Sequence, residues 1–162
     1  MGARCERLFC LTLLYQQALA REPNRPNSWF NLGRMLRRAG QPTAALQAYE
    51  EALRRGVSQP EEVHLNRGVI FSDDLRAGDQ AEAEWRRALD LNPRYEPAWM
   101  NLANLHEDRG NRTEALVAYE RLLRLAPSHF EALARYASLK GVSSPGDPLL
   151  QHLRAAMASP QA

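Results

Sequence analysis

The sequence predicts an all-α solenoid of antiparallel helix pairs, and three observations carry that prediction. Leu and Ala number 24 each, whereas Val, Ile and Thr together supply only nine of 162 residues, a balance that suits helices and excludes strands of any extent. A triplet recurs at a fixed interval as Asn31-Leu32-Gly33, Asn66-Arg67-Gly68 and Asn101-Leu102-Ala103, the asparagines 35 apart both times. Ala45, Ala81 and Ala115 then each stand four residues before a ring, Tyr49, Trp85 and Tyr119. A period of this length marks a structural unit that cannot bury its apolar face alone and stacks on its neighbours.

Residues 1–25 read as half a repeat, a single helix, because Tyr15 lies 34 before Tyr49 and Ala18 lies 34 before Ala52. That register explains a start that otherwise imitates a signal peptide through Arg4, Arg7, the run Leu8 to Tyr15 and Ala18-Leu19-Ala20. Glu6 and Tyr15-Gln16-Gln17 interrupt the signal pattern. Cys5 and Cys10 on one helix are separated by about 7.5 Å of rise, beyond disulfide reach. Two free thiols fit a reducing compartment, and a cytoplasmic location is expected.

Three full repeats follow, at 26–59, 60–94 and 95–128. A bulky residue precedes each triplet asparagine by two positions: Trp29, His64 and Trp99. Gly40-Gln41-Pro42, Gly78-Asp79 and Gly110-Asn111 separate the two helices of each repeat, glycine supplying the left-handed cap. Gly56 to Pro60, Asn92-Pro93 and Pro127-Ser128 separate one repeat from the next. In the second helix Ala45, Leu46, Tyr49, Ala52 and Leu53 form one stripe. The second repeat carries one extra residue, expected around its inner turn, because Asn66 to Ala81 is 15 residues against 14 elsewhere. Its first helix is expected over about Glu61 to Arg76.

Residues 129–141 read as the first helix of an incomplete repeat, and 142–162 as a loop with a short amphipathic capping helix. Asp147-Pro148 is a good start for that helix, with Leu149, Leu150, Leu153 and Met157 sharing a face. The exposed stacking ends at both termini make self-association an expectation.

These residues resemble the tetratricopeptide repeat family, whose pattern is W-x2-L-G, then A-x3-F/Y, then A and P. Trp29, Leu32, Gly33, Ala45, Tyr49 and Ala52 meet it in the first repeat; Trp99, Leu102, Ala115, Tyr119 and Pro127 meet it in the third. Val57 in place of the terminal Pro and Arg67 in place of the usual Leu depart from it. The resemblance implies a right-handed superhelix whose first helices line a concave groove. A second resemblance is narrower: Asn101 to Gly110, the helix ending near Leu139 and Asp147-Pro148-Leu149 are similar to the N-terminal half of bacterial tetratricopeptide-sulfotransferase proteins. That makes a detached recruiting region of such an enzyme the alternative reading. Nothing in the sequence matches a phosphosulfate-binding loop, so no catalytic residue carries over.

Chemistry-bearing patterns are few. His64, His106, His129 and His152 stand far apart, with no metal-ligand spacing. His106-Glu107-Asp108 and Ser72-Asp73-Asp74 read as solvated helix ends, and His64 as packing in a Trp slot. The expectation is a non-catalytic chain without cofactor or metal. Twenty Arg and one Lys against 19 acids leave a net charge of +2 spread along the chain, which argues against nucleic acid. No apolar run reaches the roughly 18 residues of a membrane span. Arg54, Arg55, Arg86, Arg87, Arg121 and Arg124 on second helices are expected to be solvated and paired with Glu50, Glu51, Glu82, Glu84 and Glu120.

The asparagines are the candidate site. Asn is a mediocre helix former, yet it holds one register in three first helices. On the family geometry Asn31, Asn66 and Asn101 form a column along the groove, resembling the asparagine ladder with which the peptide O-GlcNAc transferase array holds extended polypeptide. An amide both donates and accepts, so it grips a peptide backbone without reading its sequence. Arg34, Arg38 and Asn104 lie nearby to help. The expected partner is therefore a protein or peptide. The competing reading has the asparagines bonding to backbone of the chain itself.

Overall fold

Proline sets where several of the helices begin. Its fixed φ suits the first helical turn, where an N–H would find no partner anyway. In the computed structural model, which describes residues 2–142 and 146–158 and side chains from residue 12 onward except at 152, 153 and 156–158, Pro26, Pro42, Pro60 and Pro148 each open a helix. The side chains of Cys5, Cys10, Leu153 and Met157 lie outside the described residues. The helices are α1 (Gly2–Arg21), α2 (Pro26–Arg38), α3 (Pro42–Arg54), α4 (Pro60–Val69), α5 (Gly78–Leu91), α6 (Glu96–Asp108), α7 (Arg112–Leu125), α8 (Phe130–Lys140) and α9 (Pro148–Ala158). The fold is all-α, with no strand among the described residues.

The chain divides into two compact units, Met1–Pro93 and Arg94–Ala162. In the first, α2 pairs with α3 and α4 with α5; in the second, α6 pairs with α7. Connections of a few residues make each pair an antiparallel hairpin. Glycine lets the partners approach closely. The Tyr49 ring lies across Gly33, where a β-carbon would sit 2.6 Å from Cε1, and Trp85 lies across Gly68, where it would sit 2.3 Å from Nε1. Tyr49, Ala45, Ala52, Val63 and Ile70 are completely buried in the first unit, as are Tyr119, Ala115 and Leu122 in the second. Truncating a large member of such a core costs about 2–5 kcal/mol. α1 is less well covered. Leu19 is buried, but Ala18, in register with fully buried Ala52, is exposed, and so are Leu13 and Leu14.

Helix ends show where the extra residue of the second repeat lies. Past α2, α3 and α6 a glycine takes the left-handed conformation: Gly40 at φ 72°, Gly56 at 73° and Gly110 at 74°. The following N–H then bonds five residues back, Gln41 to Leu36, Val57 to Ala52 and Asn111 to His106, closing a Schellman motif. Val57 stands where the family has proline, and it is buried as the apolar residue that accompanies this motif. After α4 the chain makes a π-turn over Ile70–Asp74, with Leu75 N–H bonded to Ile70 O, and Ala77 N–H reaches six back to Phe71 O at 2.7 Å. The insertion is therefore inside the first helix and not at the inner turn. The helical stretch ends at Asp74, short of the expected Arg76. The left-handed residue is Arg76 at φ 54°, while Gly78 opens α5 instead of capping α4.

Asp147 caps α9 as expected, its Oδ1 accepting the Leu149 N–H at 2.8 Å, and α9 packs on α8.

Candidate functional site

Three of the six candidate residues share one face of α2, because steps of three and four bring Asn31, Arg34 and Arg38 into line. The Asn31 amide is half-buried and has no hydrogen-bond partner among the described residues. Arg34 and Arg38 are exposed and make no ion pair among the described residues. Arg34 holds its guanidinium 5.8 Å from the centre of the Phe30 ring, within cation–π range. Arg37, between them, is committed elsewhere: its Nε and Nη2 donate to Asp74 at 2.8 Å and Asp73 at 3.1 Å, both carried on the π-turn. The Ser72-Asp73-Asp74 segment is thus not simply a solvated helix end, since it clamps α2.

The other candidates divide. The Asn66 Nδ2 donates to Glu62 O of its own helix at 2.7 Å. In the second unit, the half-buried Asn101 amide has no hydrogen-bond partner among the described residues, whereas Asn104 is tied into a network. The Tyr119 hydroxyl lies 2.7 Å from both Asn104 Oδ1 and Glu107 Oε2, and Arg135 Nη1 donates to that same carboxylate oxygen at 3.2 Å. Burial first, then the Glu107 carboxylate, pushes the Tyr119 phenol up, so it stays a donor. The expected solvated end at His106-Glu107 is corrected as well: His106 is buried and Glu107 is bonded.

A polar cluster occupies the second repeat. Glu84, expected to pair with second-helix arginines, does pair with Arg87, but it is only 3% exposed and has further partners on α4. Its Oε2 meets His64 Nδ1 at 2.7 Å and Arg67 Nε at 3.1 Å; its Oε1 meets Arg67 Nη2 at 3.2 Å and Arg87 Nη1 at 2.8 Å. Arg67 Nη1 reaches on to Glu50 of α3 at 2.9 Å. Burial opposes the Glu84 charge, but the His64 and Arg67 hydrogen bonds outweigh it and hold the carboxyl below its usual range. His64 is accordingly a hydrogen-bonding residue and more than a packing residue. The signal was present in the repeat register: His64, Arg67 and Glu84 stand where the first repeat has Trp29, Leu32 and Ala48 and the third has Trp99, Leu102 and Ala118. Second-helix arginines otherwise pair as expected, Arg54 and Arg55 with Glu51, Arg86 with Glu82, Arg124 with Glu120.

The Tyr49 hydroxyl has no hydrogen-bond partner among the described residues, although the residue is completely buried. Among the described residues, no group of three His, Cys, Asp or Glu side chains is placed to hold a metal, and no helix is long and apolar enough to cross a membrane.

Models of the tetratricopeptide repeat match residues 13–71 and 96–139. Among solved structures, that of MamA has a TM-score of 0.72 at 19% identity, covering 94% of this chain and 82% of its own. YrrB, described as a TPR protein with an unusual peptide-binding site, has a TM-score of 0.67 at 19% identity over 94% of this chain and 77% of its own. The first TPR of Spaghetti (RPAP3), bound to the HSP90 peptide SRMEEVD, has a TM-score of 0.63 at 22% identity over 72% of this chain and 93% of its own. The human protein O-mannosyl-transferase TMTC3 is 26% identical over 110 residues, 68% of this chain. The chain spans 12% of that relative's length.

Proposed function

Because the chain is a tetratricopeptide-repeat protein, we propose that it is a protein-interaction module whose first-helix faces hold an extended polypeptide segment. The observation that carries this reading is the division among the asparagines. A half-buried amide that makes no internal bond is ready to accept and donate to a peptide backbone, and Asn31 and Asn101 are in that state while Asn66 is not. Each unit offers its own contact: Asn31 with Arg34 and Arg38 in the first, Asn101 in the second. Two structures of the same fold, YrrB and the RPAP3 repeat, are described with peptide sites, which supports a peptide as the ligand class.

Each amide contributes a hydrogen bond of about 0.5–1.5 kcal/mol, so the grip is weak at any one position. Titration of the full chain with the blocked peptide Ac-AQAQAQAQ-NH2 tests it. Asn31→Ala and Asn101→Ala are each expected to weaken binding about threefold to tenfold with the melting temperature unchanged. Asn66→Ala is expected to leave binding unaltered. Loss of stability without loss of binding in the Asn31 and Asn101 variants overturns the reading.

The alternative, a recruiting region for a sulfotransferase domain, rests on the Asn101 to Gly110 resemblance. A sulfotransferase-like reading frame adjoining this sequence would favour it; an unrelated frame would remove it.

A further inference from the structure

The extra residue of the second repeat has two places it can occupy. Leu75 N–H bonds five residues back to Ile70 O, where an α-helix bonds four back. Every residue past Ile70 therefore stands where its predecessor would stand in an uninterrupted helix. The cap shows the same count. Gln41 N–H closes the cap of the first repeat on Leu36 O, five back, whereas Ala77 N–H closes that of the second on Phe71 O, six back, and Phe71 lies 35 after Leu36. Passing the extra residue into the turn restores the five-residue bond, now from Arg76 N–H to Phe71 O. Leu75 then takes the left-handed place that Arg76 holds at φ 54°.

Neither arrangement is favoured by the residue at that place, because Leu75 and Arg76 both carry a β-carbon and meet the same steric cost. The ends of the segment are fixed, since Ile70 before it and Ala81 after it are completely buried. Between them Gly78 supplies slack for a longer turn, although as the first residue of α5 it has no positive φ. Arg37 serves both arrangements as well. Its Nε donates to Asp74 and its Nη2 to Asp73. A slip of one residue brings Asp73 to the first seat and Ser72 to the second. Consecutive aspartates thus keep a carboxylate on Nε either way. What changes is the second seat, a carboxylate in the π-turn and a hydroxyl in the α-helix, and that difference selects the π-turn.

We propose that residues 70–78 form a two-position register switch, with Arg37 as its catch and the charge at position 72 as its input. A neutral Ser72 holds the π-turn. A negative charge at 72 fills the second seat of the α-helical arrangement too and removes its disadvantage. Packed elements step between discrete arrangements of this kind and do not deform continuously. The switch stands apart from what the first-helix faces bind, so either reading can fail without the other.

Site-resolved amide exchange and backbone chemical shifts of the full chain read which residue is left-handed and which N–H closes the cap. The native chain is expected to show a left-handed Arg76 and a protected Ala77 N–H. Leu75→Gly removes the steric cost of the α-helical arrangement and is expected to lower Ala77 protection about tenfold. Combined with Ser72→Asp and Asp74→Asn, which move the charges with the register, it is expected to make position 75 left-handed and pass the protection from Ala77 to Arg76. Asp73→Asn leaves Asp74 in the first seat and Arg76→Gly favours the π-turn, so both are expected to keep the native pattern. A triple variant that retains a left-handed position 76 and a protected Ala77 overturns the switch. So does one in which Ala77 loses protection and Arg76 gains none, because the segment has then only frayed. If the triple variant lacks a melting transition, Leu75→Gly alone decides on the same two signals, and unchanged Ala77 protection there overturns the switch.

Discussion

The first and second repeats solve one packing problem with opposite chemistry. Where α2 meets α3, Leu32 and Ala48 are buried beside half-buried Trp29. These side chains line an open groove of about 750 Å³ among α1, α2 and α3. Where α4 meets α5, the same three positions are His64, Arg67 and Glu84, joined by short hydrogen bonds. The apolar set needs only contact and leaves space above it. The charged set needs every partner in place, because an ion removed from water costs several kcal/mol unless it is paired and hydrogen-bonded. Its reward is direction. Arg67 extends past Glu84 to Glu50, tying the second hairpin to the first at a fixed register.

The sharpest way to break this comparison is to remove one member of the charged set. Glu84→Ala leaves Arg67 and His64 without their buried partner and is expected to lower stability by about 3–5 kcal/mol in thermal or urea unfolding. Installing the first repeat's set entire, as His64→Trp, Arg67→Leu and Glu84→Ala together, is expected to be neutral or stabilising by up to about 4 kcal/mol. If the triple variant is as damaged as the single one, the charges do more than hold the repeat together. Acid provides an independent check. The folded Glu84 carboxyl lies below its usual range, so its contribution is fully present above the ordinary carboxylate pKa of about 4.3 and is lost as pH falls through the lower folded value. The triple variant is expected to lose less stability over that acidic window than the native chain.

A smaller effect concerns how closely the two helices of each hairpin approach. Gly68→Ala brings a β-carbon to 2.3 Å from Trp85 Nε1, an atom whose N–H is donated to Leu65 O at 3.2 Å. The indole must shift and its bond must lengthen, at a cost of about 1–3 kcal/mol. Gly33→Ala meets only ring carbons of Tyr49, at 2.6 Å and beyond, and is expected to cost less. The third repeat has Ala103 at this position, completely buried, and Tyr119 at the ring position, so a β-carbon is accommodated where the ring is a tyrosine. Chemical denaturation of both variants ranks them; a larger loss at Gly33 contradicts the argument.

Much of the fold was legible because it depends on quantities the sequence displays directly. Prolines mark helix starts, and the ring and glycine positions keep one register through the repeats. What stayed hidden is three-dimensional. The pairing of Glu84 with Arg87, three residues on, was visible in the helix spacing, but its burial was not, because carboxylates are mostly exposed; its other partners lie 17 and 20 residues away and meet it only when the hairpin closes. Three asparagines in one register looked equivalent, yet Asn66 turns back to Glu62 O while Asn31 and Asn101 do not. The spacing of 15 against 14 revealed that a residue was inserted, but a longer turn and a π-turn satisfy that count equally.

Locating the insertion gives the finest distinction between the repeats. With the extra residue absorbed in the π-turn, the left-handed position falls on Arg76, whereas Gly40 and Gly110 fill it elsewhere. An L residue there pays roughly 1–2 kcal/mol of steric cost. Glycine removes that cost but gives back part of it through the greater freedom of the unfolded chain. Arg76→Gly is therefore expected to stabilise the protein by about 0.5–1 kcal/mol net, seen as a rise of a few degrees in melting temperature. Gly40→Ala, which creates the Arg76 situation in the first repeat, is expected to destabilise by a similar amount. Because Gly40 has open space around it, that loss reports backbone conformation alone. Opposite signs at these two sites would establish that the repeats share one cap geometry and differ only in the π-turn leading to it; matching signs would mean that the turn has remade the cap as well.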